Sequence, residues 1–492
     1  MQNKRDQVQA HMFLMGRLTS GMLRADPDAP ESPQGRTNRG IALGVVFAVL
    51  VSAGAFVFGL LSPGTKGSWR TSGDLIVEKQ TGSRYLYLDG RLRPVRNYAS
   101  ARLLGGADLS AATVGSASLK GTPHGAPVGI LGAPDSLPGA GQLSSDPWQV
   151  CSIPTADGRT AGTLAVGRKT VGTPLNKYQG VLVSGPDGAD YLLWGGSRLR
   201  LDRRAGAPEA LGYGSVTPVK VSGALLSALP SGPDLTPPTT AGLGEPAAEL
   251  GGRATRVGQV FKASVPGSGS QLYLLRRDGL APLTSTLAAL VLGDARTRQL
   301  AYAGVSPTVT TIGSDALQGR LAPRTAESDG PGRLPDAPPK AVVVPVEHGP
   351  CVQIAPDSRG DKGPSTSISL ATQPSLGPAA QPAAEGVSAA CLPVDRVTVP
   401  PGGGALIQAL GAGGGKIGST VYLVTDTGVK YRIVTPDAAK ALGYESAEVL
   451  GLPSLLLAML PSGPDLSPRA AEQGRSSATA PRCDWDDKIA TR

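Results

Sequence analysis

Apolar positions are unevenly distributed along the chain, and one run dominates. Residues 41–61 read IALGVVFAVLVSAGAFVFGLL, with Ser52 as the only polar side chain. As a helix rising about 1.5 Å per residue, the run reaches about 31 Å, the thickness of a bilayer's hydrocarbon core. A helix pairs its own backbone polar groups, which a crossing of that core requires. A buried helix of a soluble domain and a cleaved signal peptide are the competing readings. Ala53-Gly54-Ala55 resembles a small-residue cleavage site, but the run continues through Phe56, Val57 and Phe58. The forty residues ahead of it also exceed a signal peptide's leading region. The pattern predicts an uncleaved single-span anchor.

Ahead of the span, residues 4–24 carry a narrower stripe. Val8, Met12, Met15, Leu18 and Met22 recur at spacings of three and four, which lines one face of a helix. Four of the five methionines fall in the first 22 residues, and methionine is an adaptable filler at contact surfaces. The segment is too short to bury this stripe alone. It predicts docking on a partner through those five residues, with a helix lying on the membrane surface as the alternative. Two glycines and Asp6 weigh against the lipid surface. Residues 25–35 (ADPDAPESPQG) form a proline- and acid-rich break before the span.

Beyond the span the pattern repeats. Leu229-Pro-Ser-Gly-Pro-Asp-Leu235 recurs letter for letter at Leu460–Leu466. Tyr191-Leu192 and Tyr422-Leu423 each stand 38 residues before their copy, and Tyr213 and Tyr444 both lie in Ala-Leu-Gly-Tyr. A second pair precedes these: YLYLDGRLRPV at 85–95 aligns with YLLRRDGLAPL at 273–283. All four units open on Tyr-Leu, reach a turn at Asp-Gly, Gly-Gly or Thr-Gly, and resume with alternating apolar residues. That predicts a short hairpin followed by a helix. In the fourth unit the helix is Pro436–Leu442, with Thr435 capping it and Gly443 ending it.

The order a, b, a′, b′ is a tandem duplication of a two-unit half. The predicted class is α+β: one transmembrane helix and an elongated extracytoplasmic domain of four hairpin/helix units around a β-rich core with pseudo-two-fold symmetry. The expected boundaries are 1–40 for the cytosolic helix and link, and 41–61 for the span. Repeat units take 62–110, 176–250, 251–322 and 405–470. The core's first half takes 111–175, its second half with linkers 323–404, and the tail 471–492. Residues 324–340 and 357–390 are Pro-, Gly-, Ser- and Ala-rich without periodicity, and are expected to be unstructured linkers.

Composition and charge add three constraints. Gly (67) and Pro (44) exceed a fifth of the 492 residues while aromatics make up 4%, which fits short strands and many turns. The net charge of +9 forms no basic run, so nucleic acid is not an expected partner. Cys151, Cys351, Cys391 and Cys483 all follow the span without a CxxC pair, which suits disulfides in an oxidising compartment. Lysines and arginines tie at three within twenty residues on either side of the span. The additional Lys4, Arg5 and Arg17 favour a cytoplasmic leading segment. Four cysteines allow three connectivities. Cys151 and Cys351 hold equivalent places between a and b and between a′ and b′, and on symmetry we choose Cys151–Cys351 and Cys391–Cys483.

Candidate chemistry is sparse. Gly411–Lys416 resembles a phosphate-binding loop, but Leu410 and Ile417 occupy the positions that need Gly and Ser or Thr. His11, His124 and His348 stand far apart, with no HExxH and no GxSxG. The aspartates of PSGPDL are expected to accept backbone hydrogen bonds in a turn. No catalytic residue, cofactor or metal is expected.

The segment RDQVQAHMFLMGRLTSGMLRADPDAPESP, followed by one span and a duplicated ectodomain ending in LPSGPDLSP, resembles the EccB family. That family supplies membrane-embedded core components of type VII (ESX) secretion systems. The resemblance covers nearly the full length. It implies a single-pass protein of the inner membrane, with a cytoplasmic amino terminus and an extracytoplasmic domain. It also implies a scaffold role beside EccC, EccD and EccE, contact with the mycosin protease, and self-association of the ectodomains. An ATPase activity and a peptidoglycan-binding role are further implications of the family.

Overall fold

A computed structural model describes residues 3–25, 33–61, 68–70, 73–169, 171–265, 269–323, 333–356, 363–381, 385–411, 414–474 and Cys483. The chain divides into two units, residues 1–73 with 114–120, and residues 74–113 with 121–492.

The first unit contains two long helices, α1 (Lys4–Arg24) and α2 (Pro33–Leu61). Ala25 ends α1 in the left-handed conformation at φ 55°. Pro33 opens α2, where its missing N–H costs nothing. The helix therefore begins eight residues before the apolar run, because residues 33–40 carry it into the span. Within α2, residues Thr37–Phe58 are long and apolar enough to cross a membrane, and none of them is buried.

The second unit contains four small sheets that share one strand order: third, second, first, fourth. In unit b the strands are Gln179–Ser184, Asp190–Trp194, Ser197–Arg200 and Val219–Lys220. In b′ they are Ala405–Leu410, Lys416–Val424, Lys430–Ile433 and Leu450–Pro453. The fourth strand runs parallel to the first in b, a′ and b′, and the helix lies between the third and fourth. The Tyr-Leu pairs sit on the second strand, so the sequence-derived hairpin is the middle of a β-β-β-α-β unit. Asp89-Gly90 (φ 51° and 75°) and Gly195-Gly196 (φ 58° and 76°) make two-residue turns with both φ positive, which matches strand twist. Asn97, Thr284 and Thr435 cap the following helices by accepting from Ser100, Leu287 and Ala438 backbone N–H groups.

An extended segment covers the outer edge of each sheet, which would otherwise expose unpaired backbone. In b and b′ that segment is the PSGPDL copy. Leu235 N donates to Arg200 O at 2.7 Å, and Leu466 N to Arg432 O at 2.8 Å. In unit a, Val128 N donates to Pro94 O at 2.8 Å, and in a′ Leu280 N donates to Arg320 O at 2.7 Å.

At the centre is a six-stranded sheet. Its middle pair is the antiparallel strands Trp148–Pro154 and His348–Ala355, with Cys151 directly opposite Cys351. Their sulfurs are bonded, with the Cα atoms 4.0 Å apart, the close approach of a non-hydrogen-bonded cross-strand pair. Thr160–Ala165 and Ser365–Thr372 flank the pair, Arg396–Thr398 lies outside the first and Thr173–Pro174 outside the second. Each half thus sends its outermost strand to the far edge of the other half. Helix Gly223–Ala228, just before the first PSGPDL copy, packs on both cysteine strands and against helix Ser454–Ala458, just before the second, and their apolar residues share one core with Trp148, Val150, Val352 and Ile354.

The linker expectation requires correction. Ser365–Thr372 is an eight-residue strand inside the second proposed linker, and Lys340–Ala341 pairs with Gln179-Gly180 at the end of the first. Of those linkers, 324–332, 357–362 and 382–384 lie outside the described residues. Most of the tail, 475–482 and 484–492, also lies outside them. Cys483 is described, bonded to Cys391.

Candidate interaction surfaces

The apolar stripe of α1 is open to solvent. Val8, Met12, Met15, Leu18 and Met22 are all more than half exposed, and Met22 reaches 86%. Phe13, Leu14 and Leu23 are equally exposed and were not part of the stripe read from the sequence. Counting threes and fours selects one narrow face, whereas these three widen it around the helix.

In the second unit the repeated tyrosines tie the halves together. Tyr213 Oη donates to Pro339 O at 2.8 Å, and Tyr444 Oη donates to Pro138 O at 2.7 Å, both buried. Burial pushes both phenols well above their ordinary range. Pro138 precedes the first cysteine strand and Pro339 the second, so each repeat unit b grips the segment entering the other half's core. The same exchange appears in the backbone: Ser144 N donates to Gly404 O at 2.8 Å, and Val342 N to Gly180 O at 2.8 Å. Unit a packs its helix Tyr98–Gly105 against Pro436–Leu442 and Pro468–Gln473, while unit b packs Ala207–Ala210 against Ser285–Gly293 of a′.

The aspartates of the two PSGPDL copies differ from each other. Asp465 is nearly buried and is held by the guanidinium of Arg432, with Nε to Oδ1 at 2.8 Å and Nη2 to Oδ2 closing the fork. Asp234 in the first copy is exposed. Lys430, opposite the second copy, is 7% exposed; its Nζ donates to Leu457 O and, at 2.9 Å, to Leu460 O. Burial lowers its pKa to about 8.

No catalytic constellation is assembled among the described residues. Lys416 is the exposed first residue of a strand, and residues 412–413 of its glycine-rich loop lie outside the described residues. His124 sits edge-on to Tyr85, its ring centroid 5.7 Å away, and His348 Nδ1 lies 3.1 Å from Val346 O. No group of three metal-ligating side chains occurs among the described residues.

One unburied apolar helix and a duplicated, disulfide-tied β body describe a membrane-anchored structural protein. The family model for the type VII secretion system ESX-1, transport TM domain B, matches residues 2–480. The EccB1 ATPase of the ESX-1 secretion system of Mycobacterium tuberculosis is 30% identical over 480 residues, covering 94% of this chain and 93% of that protein. The EccB3 ATPase of the ESX-3 system of Mycolicibacterium smegmatis is 28% identical, covering 94% and 89%. Among solved structures, the EccB3 dimer from the ESX-3 core complex aligns with a TM-score of 0.62 at 26% identity, over 81% of this chain and 99% of that one. A chain of the intact ESX-5 inner membrane complex shares the fold, with a TM-score of 0.64 at 22% identity over 96% and 95%. The chain belongs to the EccB family of type VII secretion proteins.

Proposed function

We propose that this chain is the scaffold of a type VII secretion inner-membrane assembly. In this reading α1 lies in the cytoplasm, α2 anchors the chain, and the duplicated body stands outside and associates with copies of itself. The stripe Val8, Met12, Met15, Leu18 and Met22 docks on a partner subunit, and EccC, EccD, EccE and the mycosin protease are the partners the family resemblance implies. The single observation that carries the reading is a long helix with none of its apolar window buried beside a second helix whose apolar residues are exposed. Such surface needs lipid or protein to cover it. The orientation is supported by Lys4, Arg5 and Arg17 ahead of the span and by both disulfides behind it. Self-association is supported by the relative solved as a dimer.

Orientation is tested with single reporter cysteines at exposed positions, Gln9→Cys and Tyr178→Cys, and a membrane-impermeant maleimide on spheroplasts. Tyr178→Cys labels at once, and Gln9→Cys only after permeabilisation. The reverse order refutes the arrangement. The name ATPase carried by the curated relatives favours a second reading, extracytoplasmic nucleotide hydrolysis. Turnover by the purified chain that Lys416→Ala abolishes would support it.

A further inference from the structure

Repeat unit b has a cleft of about 380 Å³ whose wall includes Asp190, Arg203 and Glu209 together with Leu182, Leu201 and Val216. The two carboxylates and one guanidinium leave it a net negative charge. Asp190 is 4% exposed. Its Oδ2 accepts from Arg203 Nε at 2.5 Å, and its Oδ1 is buried with no hydrogen-bond partner. A buried carboxylate oxygen without a partner is costly, and folds retain one where it serves a purpose. The fold itself does not need it: the Tyr-Leu alignment puts Val421 at the equivalent place in b′. The side chain of Arg203 is 61% exposed. Its guanidinium is held to Oδ2 through both Nε and Nη2, so the ion pair leaves Oδ1 unengaged.

We propose that this cleft binds a primary ammonium group on a short alkyl stem. The head is taken by Asp190 Oδ1 and the stem lies along the apolar wall of Leu182, Leu201 and Val216. Arg203 is the internal competitor that partly neutralises the site until the ligand arrives. A lysine side chain of a peptide and a free alkyl diamine share this chemistry.

The test is isothermal titration of the full chain in detergent with Nα-acetyl-lysine methylamide and, separately, with cadaverine. A neutral control is the same lysine derivative acetylated on Nε. Saturable binding of a charged probe and none of the control is expected. Tighter binding of the blocked lysine points to a peptide source, and tighter binding of cadaverine to a small amine. Asp190→Asn should weaken binding by about tenfold or more, the loss of one charge-assisted hydrogen bond. Arg203→Ala should tighten it, a change in the opposite direction that mere destabilisation would not produce. Asp190→Val, which copies the paired repeat, should fold and not bind. No saturable binding to the parent chain overturns the proposal, as does equal affinity for Asp190→Asn or weaker binding by Arg203→Ala.

Discussion

A lysine ammonium inside a small sheet is the residue whose behaviour is most directly measurable. Lys430 Nζ reaches the carbonyls of Leu457 and Leu460 at the end of helix Ser454–Ala458, where a cation suits the helix dipole. Burial nonetheless lowers its pKa from 10.5 to about 8. Below pH 8 the folded and unfolded chains both hold the proton, and the desolvation cost stands in full. Between pH 8 and 10.5 the folded chain releases its proton while the unfolded chain keeps it, so this group's contribution to stability rises with pH. Melting curves of the full chain in detergent should therefore show the parent gaining on Lys430→Met across that window. Parallel pH profiles would contradict the assignment. The buried tyrosines give a second test at this scale. Tyr444→Phe leaves Pro138 O unpaired and should cost about 1–3 kcal/mol. Tyr213→Phe should cost a similar amount, because it breaks the equivalent bond to Pro339 O.

At the scale of elements, the central strand pair is the critical contact. A Cβ on Gly349 would lie 2.0 Å from Ser152 O and 2.7 Å from Ile153 Cα, and both obstacles are backbone. Gly349→Ala should therefore force the two cysteine strands apart and lower the melting temperature more than alanine at the exposed Gly141, where nothing lies within 4 Å. The Cys151–Cys351 bond closes a separation of 200 residues, which the chain-entropy estimate values at about 5 kcal/mol. Replacing both with serine should remove much of that in an unfolding titration, while the smaller loop of Cys391–Cys483, a separation of 92, loses slightly less.

Some of these elements were legible in the sequence. The PSGPDL copies and the tyrosines at fixed offsets exposed the duplication, and the equivalent places of Cys151 and Cys351 put the central pair side by side. The first strand of each unit was missed because the pattern was read from Tyr-Leu onward. The strand Ser365–Thr372 was hidden by composition. Its first residues are polar and largely exposed, it adjoins a glycine- and proline-rich stretch, and the connection back to its antiparallel partner His348–Ala355 is longer than a tight turn. Asp190 gave no signal either: a single carboxylate beside Tyr-Leu reads as a turn residue, and only burial distinguishes it.

For the whole molecule, duplication explains the assembly of the body. Unit b follows into a′ along the chain and packs on it, whereas a and b′ meet from opposite ends of the second unit's sequence. The exchanged strands and the two tyrosine bonds lock the halves so that neither carries the complete central sheet alone. The scaffold reading then makes α1 the part that joins the chain to its neighbours. The decisive measurement is the size and subunit content of the detergent-extracted complex, from parent cells and from cells carrying Met12→Asp with Met15→Asp. The account predicts that the parent co-purifies with partner subunits and that the double variant elutes without them, both disulfides intact. An unchanged assembly in the variant would contradict it.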